Sequence, residues 1–112
     1  MTFDHTAWSA SMGAMKTAAP DIARSFAGLF QGLMKDGALT VRDKELIALG
    51  IGIATRCEPC IYSHVEKCLK AGASPEQVRE VAGVAVMMGG GPVYTTVPKV
   101  MEALSHFAPA HA

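Results

Sequence analysis

The chain has 112 residues, the size of one domain spanning 1–112 with no room for a second. Half of them are hydrophobic and only 18% are charged, a surplus of apolar side chains that a small domain cannot fully bury, so a subunit interface and a homo-oligomer are expected. Ten basic and ten acidic residues give a formal net charge of zero, which leaves no basic stripe to neutralise phosphates and speaks against nucleic-acid binding.

The N-terminus, Met1-Thr2-Phe3-Asp4-His5, has no basic region followed by an apolar core, so a signal peptide is not expected. A first helix is predicted from about Asp4 to Lys16. Pro20 and Asp21 open a second, to about Lys35, with Phe26, Leu29, Phe30 and Leu33 on one face and Gly37 placed to end it. Thr40 is an N-cap candidate, with Asp43 three positions on in a loose capping box. The helix it starts runs through Ala54 and is apolar all round after Glu45, which predicts a place in the core. Gly50 and Gly52 weaken it but let a neighbouring backbone approach. Its apolar run, Leu46 to Ala54, falls far short of the ~20 residues of a membrane span. Cys57 opens the next helix, to about Ala71, which stops at Gly72. Ser74, Pro75 and Gln77 signal the start of another, which carries Val78, Val81, Ala82 and Ala85 and breaks at Gly89-Gly90-Gly91. Pro92 begins a final helix to about Phe107, kinked at Pro98. No segment alternates with a period of two over strand length, and the predicted fold is all-α with about six helices.

Three cysteines, an odd number, do not make a secreted disulfide framework. With no leader or membrane span expected, a cytoplasmic protein follows, where two close cysteines serve catalysis or metal binding. On an ideal helix with Cys57 at zero, Cys60 falls near about −60°, His64 near about −20° and Cys68 near about +20°, so the four form one stripe, while Glu58 and Tyr62 point elsewhere. Cys57 and Cys60 can close a disulfide with little backbone movement. They sit where unpaired N–H groups and the helix dipole favour a thiolate, and His64 is one turn from Cys60. Glu45, a carboxylate at the edge of an apolar helix, is a candidate general acid or base. Each residue also has a plainer reading: a C-x-x-C pair that packs or binds metal, a satisfied helix histidine, a first-turn carboxylate favoured by the dipole. Cys68 reads as a small buried hydrophobe, and Met87-Met88 as core or interface packing. His5, His106 and His111 lie near the termini without a visible partner. A zinc site is not expected, because Cys57 to Cys68 spans ~16 Å along one helix, too far for four ligands ~2.0–2.3 Å from one ion.

Glu45, Cys57, Cys60 and His64 together form an E-x11-C-x-x-C-x3-H pattern that resembles the AhpD-like alkylhydroperoxidases of the carboxymuconolactone decarboxylase superfamily. The flanks agree: Lys44-Glu45-Leu46-Ile47-Ala48-Leu49, Lys70-Ala71-Gly72-Ala73-Ser74, Glu76 to Val84, and Gly89-Gly90-Gly91-Pro92. The likeness runs from roughly Phe30 to Leu104. It implies an all-helical homo-oligomer, a trimer or hexamer, and cofactor-free, peroxiredoxin-type reduction of hydroperoxides, with electrons from an external thiol or disulfide reductant. By the same resemblance Cys60 attacks the peroxide, Cys57 resolves the sulfenic acid, and Glu45 and His64 relay the proton. One position departs: Pro59 stands where efficient members carry a histidine beside the second cysteine, which implies a shortened relay. The alternatives are a carboxymuconolactone decarboxylase-like lactone decarboxylase using Glu45 and His64, and a binding module switched by the disulfide.

Overall fold

Six helices and one isolated helical turn make up residues 3–109, the part of the chain that this computed structural model describes; no strand occurs among them. Helix α1 (His5–Ala18) starts at Asp4, whose Oδ1 accepts from Ala7 N at 2.9 Å, an N-cap that satisfies one of the free first-turn amides. After Ala19, Pro20 occupies the first turn of α2 (Pro20–Leu33). Gly37 does not end this helix, as the sequence had predicted; it closes at Leu33, two residues short of Lys35. The cause lies in the next helix: Lys44 Nζ donates to Leu33 O at 2.9 Å and to Lys35 O at 2.6 Å, drawing terminal carbonyls out of the helical ladder.

Helix α3 (Val41–Ala54) is capped by Thr40, whose Oγ1 accepts from Asp43 N at 3.1 Å. Its predicted burial on all sides is corrected. Glu45, Leu49, Gly52 and Ile53 are buried, but Ile47 and Ile51 are more than half exposed. Helices α4 and α5 cover only two sides of α3, and so small a chain has too little left to enclose the third. Helix α4 (Glu58–Lys70) stops before Gly72, whose φ of 97° is the left-handed turn that only glycine adopts without strain. Helix α5 (Pro75–Gly89) begins with the full capping box of Ser74 and Gln77.

The single final helix kinked at Pro98 is also corrected. A one-turn α6 (Gly91–Tyr94) is separated from α7 (Val97–Phe107) by Thr95 and Thr96. Pro98 has no N–H to give to Tyr94 O, and the Thr95 hydroxyl bonds back to Pro92 O at 2.9 Å, so a continuous ladder cannot form and Pro98 becomes the second residue of a new helix. The core lies where α3, α4, α5 and α7 meet, with Leu49, Ile53, Ile61, Val65, Val78, Val100 and Leu104 fully enclosed, each contributing about 1.5–3 kcal/mol of burial. The Met87-Met88 pair is not part of it; both side chains are exposed. Helix α2 contributes no buried residue and leaves Ile22, Phe26, Leu29 and Leu33 open along one face. His111 lies outside the described residues. His5 and His106 do have partners: the His5 ring stacks on Tyr62 at 5.4 Å and meets His106 edge-on at 5.3 Å, pinning the start of α1 to α4 and α7.

Candidate active site

The turn from α3 to α4 sets the thiols in place. Arg56 takes a left-handed φ of 57°, reversing the chain so that Cys57 N donates to Gly52 O at 3.0 Å. Cys57 is then the N-cap of α4, its Sγ accepting from Cys60 N at 3.3 Å, a cysteine in the position usually held by serine or aspartate. Pro59 fits the second helical position because the amide it lacks has no partner there. Cys57 and Cys60 are joined as a disulfide, with Cα atoms 5.2 Å apart. Gly52 makes this approach possible, since a Cβ built on it would lie 3.1 Å from Cys60 Cβ and 3.6 Å from its backbone carbonyl carbon.

Glu45 projects from α3 towards α4 and is 3% exposed. Its Oε1 lies 2.6 Å from His64 Nδ1, the closest polar tie between these two helices. The His64 ring, partly exposed, lies nearly parallel to Phe30 of α2 at 6.4 Å between centroids. Cys68, one turn further along α4, is fully enclosed. Burial, reinforced by the negative charge of Glu45, pushes its thiol up to about 12, so it stays protonated and inert at neutral pH. The predicted stripe therefore divides: Cys60 and His64 reach solvent while Cys68 belongs to the core. Glu58 and Tyr62 face away, as predicted, Glu58 pairing with Lys99 at 3.7 Å and Tyr62 packing on Phe3 at 5.0 Å.

Cys60, Ser63 and His64 open onto a cleft of about 500 Å³, walled by Trp8 and Met12 from α1 and Phe26 and Phe30 from α2. Cys57 is absent from its walls. That α1 and α2 build this wall is not visible in the residue pattern, because it depends on how they fold back over α4. Lys67 also borders the cleft, and its spacing of seven from Cys60 and three from His64 is the signal in the sequence that puts it on the same helix face; its Nζ stands 5.1 Å above the Phe30 ring. A second hollow of about 660 Å³, lined by His5, Tyr62, Glu102 and His106, contains no cysteine. Among the described residues no three His, Cys, Asp or Glu side chains converge as a metal site, and no helix is long and apolar enough to cross a membrane.

Residues 20–107 match the carboxymuconolactone decarboxylase family. An uncharacterised protein encoded in the cox locus of Paracoccus denitrificans is 35% identical over 96 residues, covering 86% of each chain. A solved carboxymuconolactone decarboxylase family protein from Legionella pneumophila, in its apo form, superposes with a TM-score of 0.86 at 33% identity over 93% of each chain. A family member from Thermotoga maritima, whose suggested involvement is in the antioxidative response, shares the fold with a TM-score of 0.78 at 24% identity, over 91% of this chain and 87% of its own.

Proposed function

Because the chain belongs to the carboxymuconolactone decarboxylase family, we propose that it is a thiol peroxidase that reduces hydroperoxides through Cys60 and Cys57, with Glu45 and His64 as its proton relay. The observation that carries this reading is that Cys60 and His64 share one cleft while a buried Glu45 grips the far side of the imidazole at 2.6 Å. The Cys60 thiolate attacks the outer peroxide oxygen, an S–O bond forms, the O–O bond breaks, and the departing alkoxide takes a proton delivered by His64. Cys57 then attacks the sulfenic sulfur; a disulfide forms and water leaves. An external dithiol returns two electrons and reopens the pair. Glu45 accepts from Nδ1–H, fixing the tautomer and leaving Nε2 as the ring atom that exchanges protons. The absence of Cys57 from the cleft walls supports its role as the resolving thiol. A cytoplasmic setting, where such reductants are available, suits the cycle. The apolar groove of Leu46, Ile51, Val81 and Met88 between α3 and α5 supports a homo-oligomer.

The test is thiol titration of the reduced protein before and after one equivalent of hydroperoxide. Two of the three thiols should disappear, leaving Cys68. Cys60→Ser should not react, while Cys57→Ser should react once and yield a sulfenic acid on Cys60 that dimedone traps. An adduct on Cys57 in the Cys60→Ser protein would reverse the two roles. No change in thiol content would remove peroxide chemistry and favour acid–base work on a lactone by Glu45 and His64.

A further inference from the structure

The cleft beside Cys60 is far larger than hydrogen peroxide requires. Its volume of about 500 Å³ lies in the range that encloses an organic ligand of ~300–1,000 Å³. Its walls are aromatic and aliphatic on the α1 and α2 side, with Trp8, Met12, Phe26 and Phe30. Its charged lining is of one sign: Lys16 and Lys67 border it, and no aspartate or glutamate does. Neither lysine has a carboxylate within ion-pair distance among the described residues. Lys67 is half-buried, its ammonium held over the Phe30 ring at 5.1 Å, a cation with no anion beside it among the described residues. The same two lysines and two phenylalanines also border an apolar trough of about 430 Å³ running on between α1 and α2, so the cleft has room for a chain beyond the lysines.

We propose that this cleft selects an anionic amphiphile: an organic hydroperoxide whose hydrocarbon part lies against Trp8, Phe26 and Phe30 and whose carboxylate is held by Lys67. This rests on the peroxidase reading and names its substrate class. Cys60 and Lys67 are seven positions apart on α4, about 10 Å at the helical rise of ~1.5 Å per residue. The redox step is unchanged: Cys60 sulfur gains the outer oxygen, the alcohol leaves with a proton from His64, and the carboxylate is a handle that does not react.

Trp8 is the chain's single tryptophan and lines the cleft, so its fluorescence reports binding without any peroxide chemistry. Titration with sodium decanoate, below its micelle concentration, should give a saturable change. 1-Decanol should bind about fivefold more weakly, near the upper end for a solvent-screened ion pair. Added salt should narrow that gap, Lys67→Met should erase it, and Lys67→Arg should keep it. In parallel, the reduced protein is oxidised with a fatty-acid hydroperoxide and with its methyl ester; the acid should have the higher kcat/KM, chiefly through a lower KM. Decanol binding as tightly as decanoate, or a gap that survives in Lys67→Met, would overturn the proposal. If acid and ester oxidise the thiols equally fast and decanoate shows no advantage, the selective cleft is lost and the peroxidase reading stands. If decanoate binds as described but no hydroperoxide oxidises the thiols, the peroxidase reading is lost and the anion-selective cleft stands.

Discussion

Glu45 of α3 and His64 of α4 meet at 2.6 Å between Oε1 and Nδ1, with the carboxylate enclosed and the imidazole at the edge of the thiol cleft. A buried carboxylate is tolerated only with a partner of this kind. The pair ties the carboxylate on the core side to a ring that reaches solvent.

Glu45→Gln keeps the size and an acceptor oxygen but cannot take up or release a proton. Cys60 oxidation should slow by about 10²-fold, the low end for one acid–base group, and its pH–rate profile should lose one limb. Stopped-flow oxidation across pH checks both. A slower rate with the profile intact would leave Glu45 as a positioning residue that only orients the ring.

Gly50 and Gly52 should respond in opposite directions to alanine. At Gly52 the new Cβ meets Cys60 Cβ at 3.1 Å and its backbone behind, atoms that the helix start and the disulfide hold in place. Overpacking of roughly 1–3 kcal/mol outweighs a helix-propensity gain of about 1 kcal/mol. At Gly50 the Cβ meets only Val81 Cγ1 at 3.4 Å, an ordinary contact, so the propensity gain should survive. Urea denaturation of the oxidised proteins should show Gly52→Ala less stable than wild type and Gly50→Ala equal or more stable.

Cys68 gives a pH dependence with a defined sign. Its thiol is raised from 9.0 to about 12 by burial and then by the charge of Glu45. Between those values the folded state keeps the proton that the unfolded state has released, so stability is fully present below pH 9 and is lost as pH rises towards 12. Each pH unit costs about 1.4 kcal/mol at most. Cys68→Ala removes the group, so its stability should fall less steeply than wild type between pH 9 and 11. Parallel denaturation curves for the two proteins over that range would show that the thiol is not held protonated by the fold.

Much of this architecture can be read from the chain, because helix starts and stops are local chemistry. Ser74, Pro75 and Gln77 mark one start in three residues, and Gly72 marks a stop that requires positive φ. The cysteine stripe is legible for the same reason, since one helix carries it. What eludes the sequence depends on which helices become neighbours. Periodicity cannot tell that Glu45 meets His64, for the two sit on different helices whose rotation is set by packing around Leu49 and Val65. Ile47 and Ile51 look as buried as Leu49 until the number of helices packed on α3 is known. The cleft wall from α1 and α2 is least legible, as neither helix buries a residue and their apolar faces give no direction.

Pro59 sits at the second position of α4 and lines the cleft beside Cys60. It costs the helix little there, since its missing amide would have had no intrahelical partner. Yet it supplies neither a proton nor a positive charge, whereas the efficient alkylhydroperoxidases that this chain resembles carry a histidine at that place. The nearest proton carrier to the leaving oxygen is then His64 alone, one turn further along the helix. Peroxide turnover should be slow in the wild-type protein for that reason. Pro59→His adds a second imidazole at the helix N-terminus, where it can stabilise the Cys60 thiolate or protonate the departing alkoxide. Oxidation should accelerate by about 10²-fold, the low end for one acid–base group. Stopped-flow oxidation of both reduced proteins, with helicity by circular dichroism and subunit assembly by light scattering matched between them, measures the difference. A folded, assembled variant that reacts no faster would mean that proton delivery does not limit the reaction. Exchange with a disulfide substrate, whose leaving thiolate needs less help from an acid, would then become the better account of why this chain keeps proline between its cysteines.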